Sequence, residues 1–485
     1  MKQSPQIFLS NLIWRFLERT GAQLVTFVVA VVLSRILSPE EYGIIALITV
    51  FINILNVFVD SGLGTALIQK KDADAVDFST VFYANVVFCL VLYALFFAFA
   101  PFLAFFYKNA GLTPVIRVLG ITILISGVKN IQQAYVSKTL QFKKFFFATL
   151  IGTISAAFIG ISLAYQGYGV WALVVQQISN LFIDTVILWV TVRWKPNLVF
   201  SFNRLKTLLS FGWKMLVSAL LDTTYTNLRQ LIIGKKYSPQ ELAFYDKGNL
   251  FPSAVVSNLN SSINSVLLPV MASEQDDKIR IKQMTRRAIK TSTYCIAPLV
   301  MGLSACASPI VKVLLTEKWL PCVPFMRIFC VTYMFYPIHT ANLNAITAMG
   351  RSDLFLKLEV IKKVMGLSVL LSTMWFGVMV MAYSLLLTSV LGQIINSWPN
   401  KKLLNYGYLE QLKDILPAVL LAVGMGGAVW ILNLLPLQNW KLLLVQIPVG
   451  IALYVAGSML FRLESFSYLK NVMQEKALQR WKKHV

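Results

Sequence analysis

Apolar runs of about 20 residues recur along the whole chain, and each is long enough to cross about 30 Å of hydrocarbon as a helix. That recurrence leaves few folds open. The polar intervals near 193–211, 273–290, 399–413 and 463–485 are each shorter than about 25 residues, too short for a soluble domain. Only 13% of the 485 residues are charged and 57% are hydrophobic, against about a quarter charged in an ordinary soluble domain. The expectation is an all-α integral membrane protein of about fourteen transmembrane helices. Their centres fall near residues 23, 56, 93, 125, 155, 181, 223, 258, 302, 335, 366, 389, 425 and 451. The first run begins near Leu12 and no small-residue cleavage site follows it, so it reads as a retained helix rather than a signal peptide.

A formal charge of +23 suits a nucleic-acid binder until its distribution is considered. With the N-terminus inside, most Lys and Arg fall in cytoplasmic segments, which is the positive-inside asymmetry. Lys70/Lys71, Lys138/Lys143/Lys144, Lys278/Arg280/Lys282/Arg286/Arg287, Lys401/Lys402 and Lys476/Arg480/Lys482/Lys483 are examples. Both termini are then cytoplasmic. Topology accounts for the charge, so anionic membrane lipids are expected partners and nucleic acid is not. Cys89, Cys295, Cys306, Cys322 and Cys330 sit mainly in or beside apolar runs with no C-x-x-C spacing, which supports neither a metal site nor a disulfide framework. No cofactor is expected.

A weak internal duplication is the most informative pattern. Ser38-Pro39-Glu40-Glu41-Tyr42 recurs as Ser238-Pro239-Gln240-Glu241-Leu242, 200 residues on; Pro114-x-x-Arg117 with Thr122 recurs as Pro324-x-x-Arg327 with Thr332, 210 residues on; Ala100-Pro101 matches Ser308-Pro309. Three matches in the same order predict two homologous six-helix bundles, and six spans between equivalent points make the repeat parallel, a transporter symmetry. The expected organisation is an N-terminal bundle at 1–195, an amphipathic cytoplasmic linker at 196–211 and a C-terminal bundle at 212–400. Two appended helices at 401–463 and a basic cytoplasmic tail at 464–485 follow.

Several spans carry polar stripes at helical spacing. Thr49, Asn53, Asn56, Asp60 and Gly64 share one face of the second span, and Asn249, Ser253, Ser257, Asn260 and Asn264 one face of the eighth, in register at 49/249, 53/253, 60/260 and 64/264. Ser218, Asp222, Thr226 and Arg229 line the seventh; Arg15, Arg19, Gln23 and Thr26 line the first; Gln177, Asn180 and Asp184 form a shorter stripe on the sixth. An ionised group facing lipid costs about 3 kcal/mol by insertion scales. These faces therefore meet either neighbouring helices or a water-filled cavity between the halves. For single residues both readings stay open: Arg15 and Arg19 can snorkel inward, Asp60 can bond to a neighbouring helix, and Asp222 and Arg229 can be linked through Thr226 or meet a ligand separately. His339 fits a hydrogen-bonded structural role or a proton sensor, and Arg117 and Arg327 fit interfacial anchors. The candidate substrate-binding residues are Arg19, Asn53, Asp60, Asp222, Arg229, Ser253 and Asn260.

The run Trp14…Leu33-Ser34-Arg35-Ile36-Leu37-Ser38-Pro39-Glu40-Glu41-Tyr42-Gly43 resembles the opening of bacterial polysaccharide flippases of the O-antigen and colanic-acid exporter type. So do Asp60-Ser61-Gly62-Leu63-Gly64-Thr65-Ala66-Leu67-Ile68-Gln69-Lys70-Lys71, Ser79-Thr80-Val81-Phe82, Leu140-Gln141-Phe142-Lys143-Lys144 and Gly167-Tyr168-Gly169-Val170-Trp171-Ala172-Leu173-Val174. The likeness covers the N-terminal half well and the C-terminal half loosely. It implies a pair of six-helix bundles of the multidrug/oligosaccharidyl-lipid/polysaccharide exporter superfamily in a bacterial inner membrane, acting as a monomer. It also implies a substrate, an undecaprenyl-pyrophosphate-linked oligosaccharide repeat unit, moved outward by rocking of one half against the other for lipopolysaccharide, exopolysaccharide or capsule synthesis. A polysaccharide polymerase and chain-length proteins are implied partners. The nearest alternative is a cation-coupled multidrug or metabolite exporter, which needs an intramembrane carboxylate such as Asp60, Asp184 or Asp222 as its ion site; a peptidoglycan-precursor flippase is another, which the quoted motifs fit less well. A membrane glycan-processing enzyme is not supported, because the outer loops are short and His339 stands alone among the spans.

Overall fold

The computed structural model describes residues 5–60 and 62–481, with the side chains of 5–13, 15–19, 211, 472, 473 and 475–481 outside the description. Among the described residues every regular element is helical. The chain forms two compact units, Met1–Ala243 and Phe244–Val485. Unit 1 contains α1 (Pro5–Ile36), α2 (Pro39–Asp60), α3 (Leu63–Gln69), α4 (Ala75–Phe106), α5 (Leu112–Leu119), α6 (Ile121–Lys138), α7 (Phe142–Tyr165), α8 (Val170–Thr191), α9 (Phe202–Lys236) and the opening of α10 (Pro239–Ala272). Unit 2 holds the rest of α10, then α11 (Lys278–Ala305), α12 (Ala307–Leu314), α13 (Val323–Met334), α14 (Tyr336–Ala348), α15 (Ser352–Thr373), α16 (Val378–Leu403), α17 (Tyr408–Ile431), α18 (Asn439–Leu460) and α19 (Glu464–Trp481).

The repeated Ser-Pro-x-Glu motif is a helix-start device. Ser38 precedes α2, Pro39 occupies its first position, and the Ser38 amide and hydroxyl donate to Glu41 Oε2 at 2.7 and 2.9 Å, while the Glu41 amide donates back to Ser38 Oγ at 3.3 Å. Before α10, the Glu241 amide donates to Ser238 Oγ at 3.1 Å. The two starts lie against each other: a Cβ on Gly43 would stand 1.8 Å from the Pro239 carbonyl oxygen, so only glycine fits. Gly62, with φ 66, introduces α3, and a Cβ there would come 2.6 Å from the Gly212 carbonyl oxygen of α9.

Small residues set the closest packing. Ala148, Gly152, Ala156, Gly160 and Ala164 recur every fourth position on the buried face of α7, the spacing that lets membrane helices approach backbone to backbone. There α8 comes so near that a Cβ on Gly152 would lie 3.0 Å from the Asn180 carbonyl oxygen. The buried cluster of unit 1 includes Leu67, Phe78, Ile131, Phe145, Leu188 and Trp194. That of unit 2 includes Ile281, Ile289, Ile338, Ala345, Tyr406 and Ile415.

The segment between α8 and α9 is pinned by the motif residues Ser79 and Thr80, both buried. Their hydroxyls accept from the Asn197 and Ser201 amides at 3.0 and 3.1 Å. The amphipathic stretch from Asn203 to Leu209, expected within a linker at 196–211, is continuous with α9 and forms its first turns. Leu205 and Leu208 face the core while Leu209 is exposed. The boundary between the compact units falls later, at Ala243/Phe244 in the opening of α10.

Thirteen expected span centres fall on helices, and the fourteenth, Phe335, is the single-residue break between α13 and α14. Nine helical paths among the described residues are long and apolar enough to cross a membrane, or ten if the pair α11 and α12, bent by 67°, counts as one. Outside that number are the terminal α19 and four longer helices, α1, α9, α10 and α15. At 22 to 35 residues the four reach at least about 33 Å at 1.5 Å per residue. The apolar stretch of α1, Thr20–Ile36, is short; α9 and α10 fall short on apolarity through their polar stripes, and α15 through Lys357, Glu359, Lys362 and Lys363. The protein is a multi-pass membrane protein.

Candidate functional site

The polar stripe of α2 is only partly engaged inside unit 1. Asn53 and Asp60 are exposed, whereas Thr49 and Asn56 are half-buried. Asp60 Oδ1 accepts from Asn130 Nδ2 of α6 at 2.7 Å. On α10, Ser257 and Asn264 are exposed and Ser253 and Asn260 half-buried. Ser253 donates to the Leu250 carbonyl at 3.1 Å within its own helix; Asn249 Oδ1 accepts from the Tyr333 hydroxyl at 2.8 Å, and Asn260 Oδ1 from the Thr340 hydroxyl of α14 at 2.6 Å. On α9, Ser218 and Asp222 are exposed while Arg229 is buried within unit 1. Thr226 donates to the Asp222 main-chain carbonyl at 2.8 Å, a turn-internal bond. Gln23 and Thr26 of α1 are exposed. The side chains of Arg15 and Arg19 lie outside the described residues.

A buried ion pair in unit 1 includes a residue that periodicity missed. Lys129 of α6 is paired with Asp184 of α8 at 2.5 Å, with side-chain exposures of 13% and 8%. Asp184 stood out in the sequence through its stripe on the sixth span; Lys129 did not, although an ionisable residue within an apolar span is itself a signal. Lys129 and Asn130 are adjacent, so a single turn of α6 reaches α8 with one side chain and α2 with the next.

Unit 2 contains the corresponding arrangement. His339 Nδ1 lies 3.0 Å from Asn396 Nδ2 of α16, and the neighbouring Thr340 donates to Asn260 of α10. Lys129 to His339 and Asn130 to Thr340 are each 210 residues, Asp60 to Asn260 is 200, and Asp184 to Asn396 is 212. These are the offsets of the sequence duplication, here attached to side-chain contacts. The remaining polar atoms of the two distal partners, the second carboxylate oxygen Asp184 Oδ1 and the amide oxygen Asn396 Oδ1, are both buried without a hydrogen-bond partner among the described residues.

Other polar groups are structural. Asn342, Asn400 and Gln411 form a buried amide cluster with bonds of 2.7 to 3.0 Å. The Arg117 guanidinium lies 4.2 Å from the Phe97 ring centre and its Nε donates to the Phe97 carbonyl, as suits an anchor. In the turn before α4, Asp74 caps the helix and accepts from Arg204 at 2.5 Å. That guanidinium holds the Asp74 carboxyl well below its usual range, at about 2. Among the described residues no three His, Cys, Asp or Glu side chains converge as metal ligands.

Residues 32–324 match the family model described as polysaccharide biosynthesis protein. The succinoglycan biosynthesis transport protein ExoT of Rhizobium meliloti (strain 1021) is 26% identical over 309 residues, 64% of this chain and 63% of that protein. The match thus spans less than two thirds of that relative's length. The teichuronic acid biosynthesis protein TuaB of Bacillus subtilis (strain 168) is 24% identical over 382 residues, 78% of each chain. In three dimensions the chain is similar to the lipid II flippase MurJ in an inward closed conformation, with a TM-score of 0.72 at 15% identity over 94% of this chain and 99% of that one. The fold is shared, and with the model matching more than half of its length the chain belongs to the polysaccharide biosynthesis protein family.

Proposed function

We propose that this protein is a flippase that carries a polyprenyl-pyrophosphate-linked oligosaccharide from the cytoplasmic to the outer leaflet of a bacterial inner membrane by alternating access. The observation that carries the reading is the exposure of polar side chains along α2 and α10, Asn53, Asp60, Ser257 and Asn264 among them, in helices flanked by apolar spans. Hydrocarbon cannot solvate such groups, whereas sugar hydroxyls and water can. The names of the relatives, a succinoglycan biosynthesis transport protein and a teichuronic acid biosynthesis protein, support the same substrate class. The rival reading, cation-coupled drug export, needs a carboxylate available to a cation. Asp184 is instead held by Lys129 and Asp60 by Asn130, so the rival rests on the exposed Asp222.

In this reading Asn53, Asp60, Ser253 and Asn260 hydrogen-bond the sugar, with Asp222 on the neighbouring stripe. Arg19 takes the pyrophosphate, joined by Arg229 once alternating access uncovers it from its buried position, because a planar guanidinium grips two phosphate oxygens where an ammonium offers a point charge. Anionic lipids bind the basic cytoplasmic turns, and a polymerase and chain-length proteins receive the product. The test is a strain deleted for the gene and supplied with the chain in trans. Surface polysaccharide should return and the lipid-linked repeat unit should stop accumulating. A strain that regains neither, with the protein in its membrane at normal level, rules the reading out.

A further inference from the structure

We propose that the dipeptides Lys129-Asn130 and His339-Thr340 are one repeated device. In each, the first residue ties its helix to the bundle, and the second positions a substrate-facing side chain. Asn130 and Thr340 are then positioning residues for Asp60 and Asn260. The inference rests on the substrate-facing role given above to Asp60 and Asn260.

The geometry carries the assignment. Neither Asp60, which is exposed, nor Asn260, which is half-buried, is enclosed by packing, so a short polar side chain there keeps several rotamers unless something holds it. In each case one hydrogen bond does so, 2.7 Å from Asn130 Nδ2 of α6 and 2.6 Å from the Thr340 hydroxyl of α14. Each donor engages one oxygen, Oδ1, and an amide or carboxyl group has further capacity for a sugar hydroxyl. Each donor is anchored through the residue before it, Lys129 to Asp184 and His339 to Asn396. A positioning group fixed by its own supporting contact is what a precise binding site needs. Chance pairing would have no reason to place all four partners at offsets of 200 to 212.

The donors differ, and the difference supplies the test. Thr340→Val removes the donor with little change in bulk, and Asn130→Ala removes the donor together with the rest of the amide; Asn130→Thr supplies, and Thr340→Ser retains, a hydroxyl that can donate. Flipping of a lipid-linked oligosaccharide would be measured with the full-length protein in proteoliposomes, alongside Asp60→Ala and Asn260→Ala. Asn130→Ala and Thr340→Val should each raise the half-saturating substrate concentration about tenfold, the equivalent of about 1.4 kcal/mol. The maximal rate and thermal midpoint should change little, and Asn130→Thr and Thr340→Ser should stay near the parental value. A parental half-saturation for both donor-less variants, with Asp60→Ala and Asn260→Ala impaired, overturns the positioning role and leaves the site reading intact. Parental behaviour of Asp60→Ala and Asn260→Ala themselves removes the site, and the positioning role with it. A fall in thermal midpoint that accounts for the whole loss in the donor-less variants makes Asn130 and Thr340 packing residues and likewise overturns it.

Discussion

At matching places the two units solve one problem with different chemistry. Unit 1 joins α6 to α8 through an ion pair, Lys129 with Asp184, and α6 to α2 through an amide and a carboxylate, Asn130 with Asp60. Unit 2 joins α14 to α16 and α10 through neutral groups alone, His339 with Asn396 and Thr340 with Asn260. The contact geometry is the same and the charge is not. Position in the repeat therefore dictates that a polar bridge exists, while the side chains present decide how costly it is to break.

The comparison gives its largest effect at the first residue of each bridge. Lys129→Ala strands a buried carboxylate and should destabilise unit 1 by about 3–5 kcal/mol. His339→Ala leaves an unpaired amide and should cost about 1–3 kcal/mol. Thermal midpoints of the purified proteins and their membrane levels check the order. If His339→Ala proves the more damaging, the distinction between an ionic and a neutral bridge fails. The double variant Lys129→Met with Asp184→Leu sharpens it, since replacing a buried pair by apolar groups of similar volume is often neutral, and most of the lost stability should return.

A second prediction concerns the stripes that the bridges support. Single cysteines at positions 53, 60, 253 and 260 should react with a small hydrophilic maleimide in membranes, and one at Ile54 should not. Silent cysteines on both stripes would make them packing surfaces. Reaction at 53 and 60 but not at 253 and 260 would confine the polar path to unit 1.

Much of this was legible in the sequence. The in-register stripes singled out Asp60 and Asn260, and the Ser-Pro-x-Glu repeat marked two helix starts that share the bond from the glutamate amide to the serine hydroxyl. The bridges were not legible as pairs. Asp184 lies 55 residues from Lys129, and only the fold brings α6 against α8; nor does helical period mark one lysine in an apolar run. Arg229 shares a stripe with the exposed Asp222 yet is buried, because the C-terminal part of α9 packs against α2, where Gly234 meets Leu47. Apolarity also miscounts helices whose one face is polar, which is why α9 and α10 escape a hydropathy criterion despite their length.

The smallest expected effect lies where unit 1 has an exposed ionic turn. The Asp74 carboxyl is held down at about 2 by Arg204, against about 3.9 in an unfolded chain. A depressed acid stabilises the fold fully above its unfolded value and loses that contribution as pH falls through the folded one. The thermal midpoint of the parent should thus be insensitive to this pair above about pH 5 and lose its contribution between about pH 4 and 2. The Asp74→Asn variant should lack that increment of acid sensitivity. Because the pair is solvent-exposed, the difference should be small and should shrink further with added salt.

The central claim is that the chain moves a lipid-linked glycan across a bilayer, and reconstitution tests it most directly. Purified protein in proteoliposomes, loaded with a polyprenyl-pyrophosphate oligosaccharide bearing a fluorophore on the sugar, would be challenged with a membrane-impermeant quencher. The account predicts that active protein raises the quenchable fraction from the outer-leaflet half towards completeness, and that Asp60→Ala with Asn260→Ala slows the rise. A quenchable fraction that stays at the protein-free level, in vesicles where the same protein extrudes a cationic dye, would contradict it.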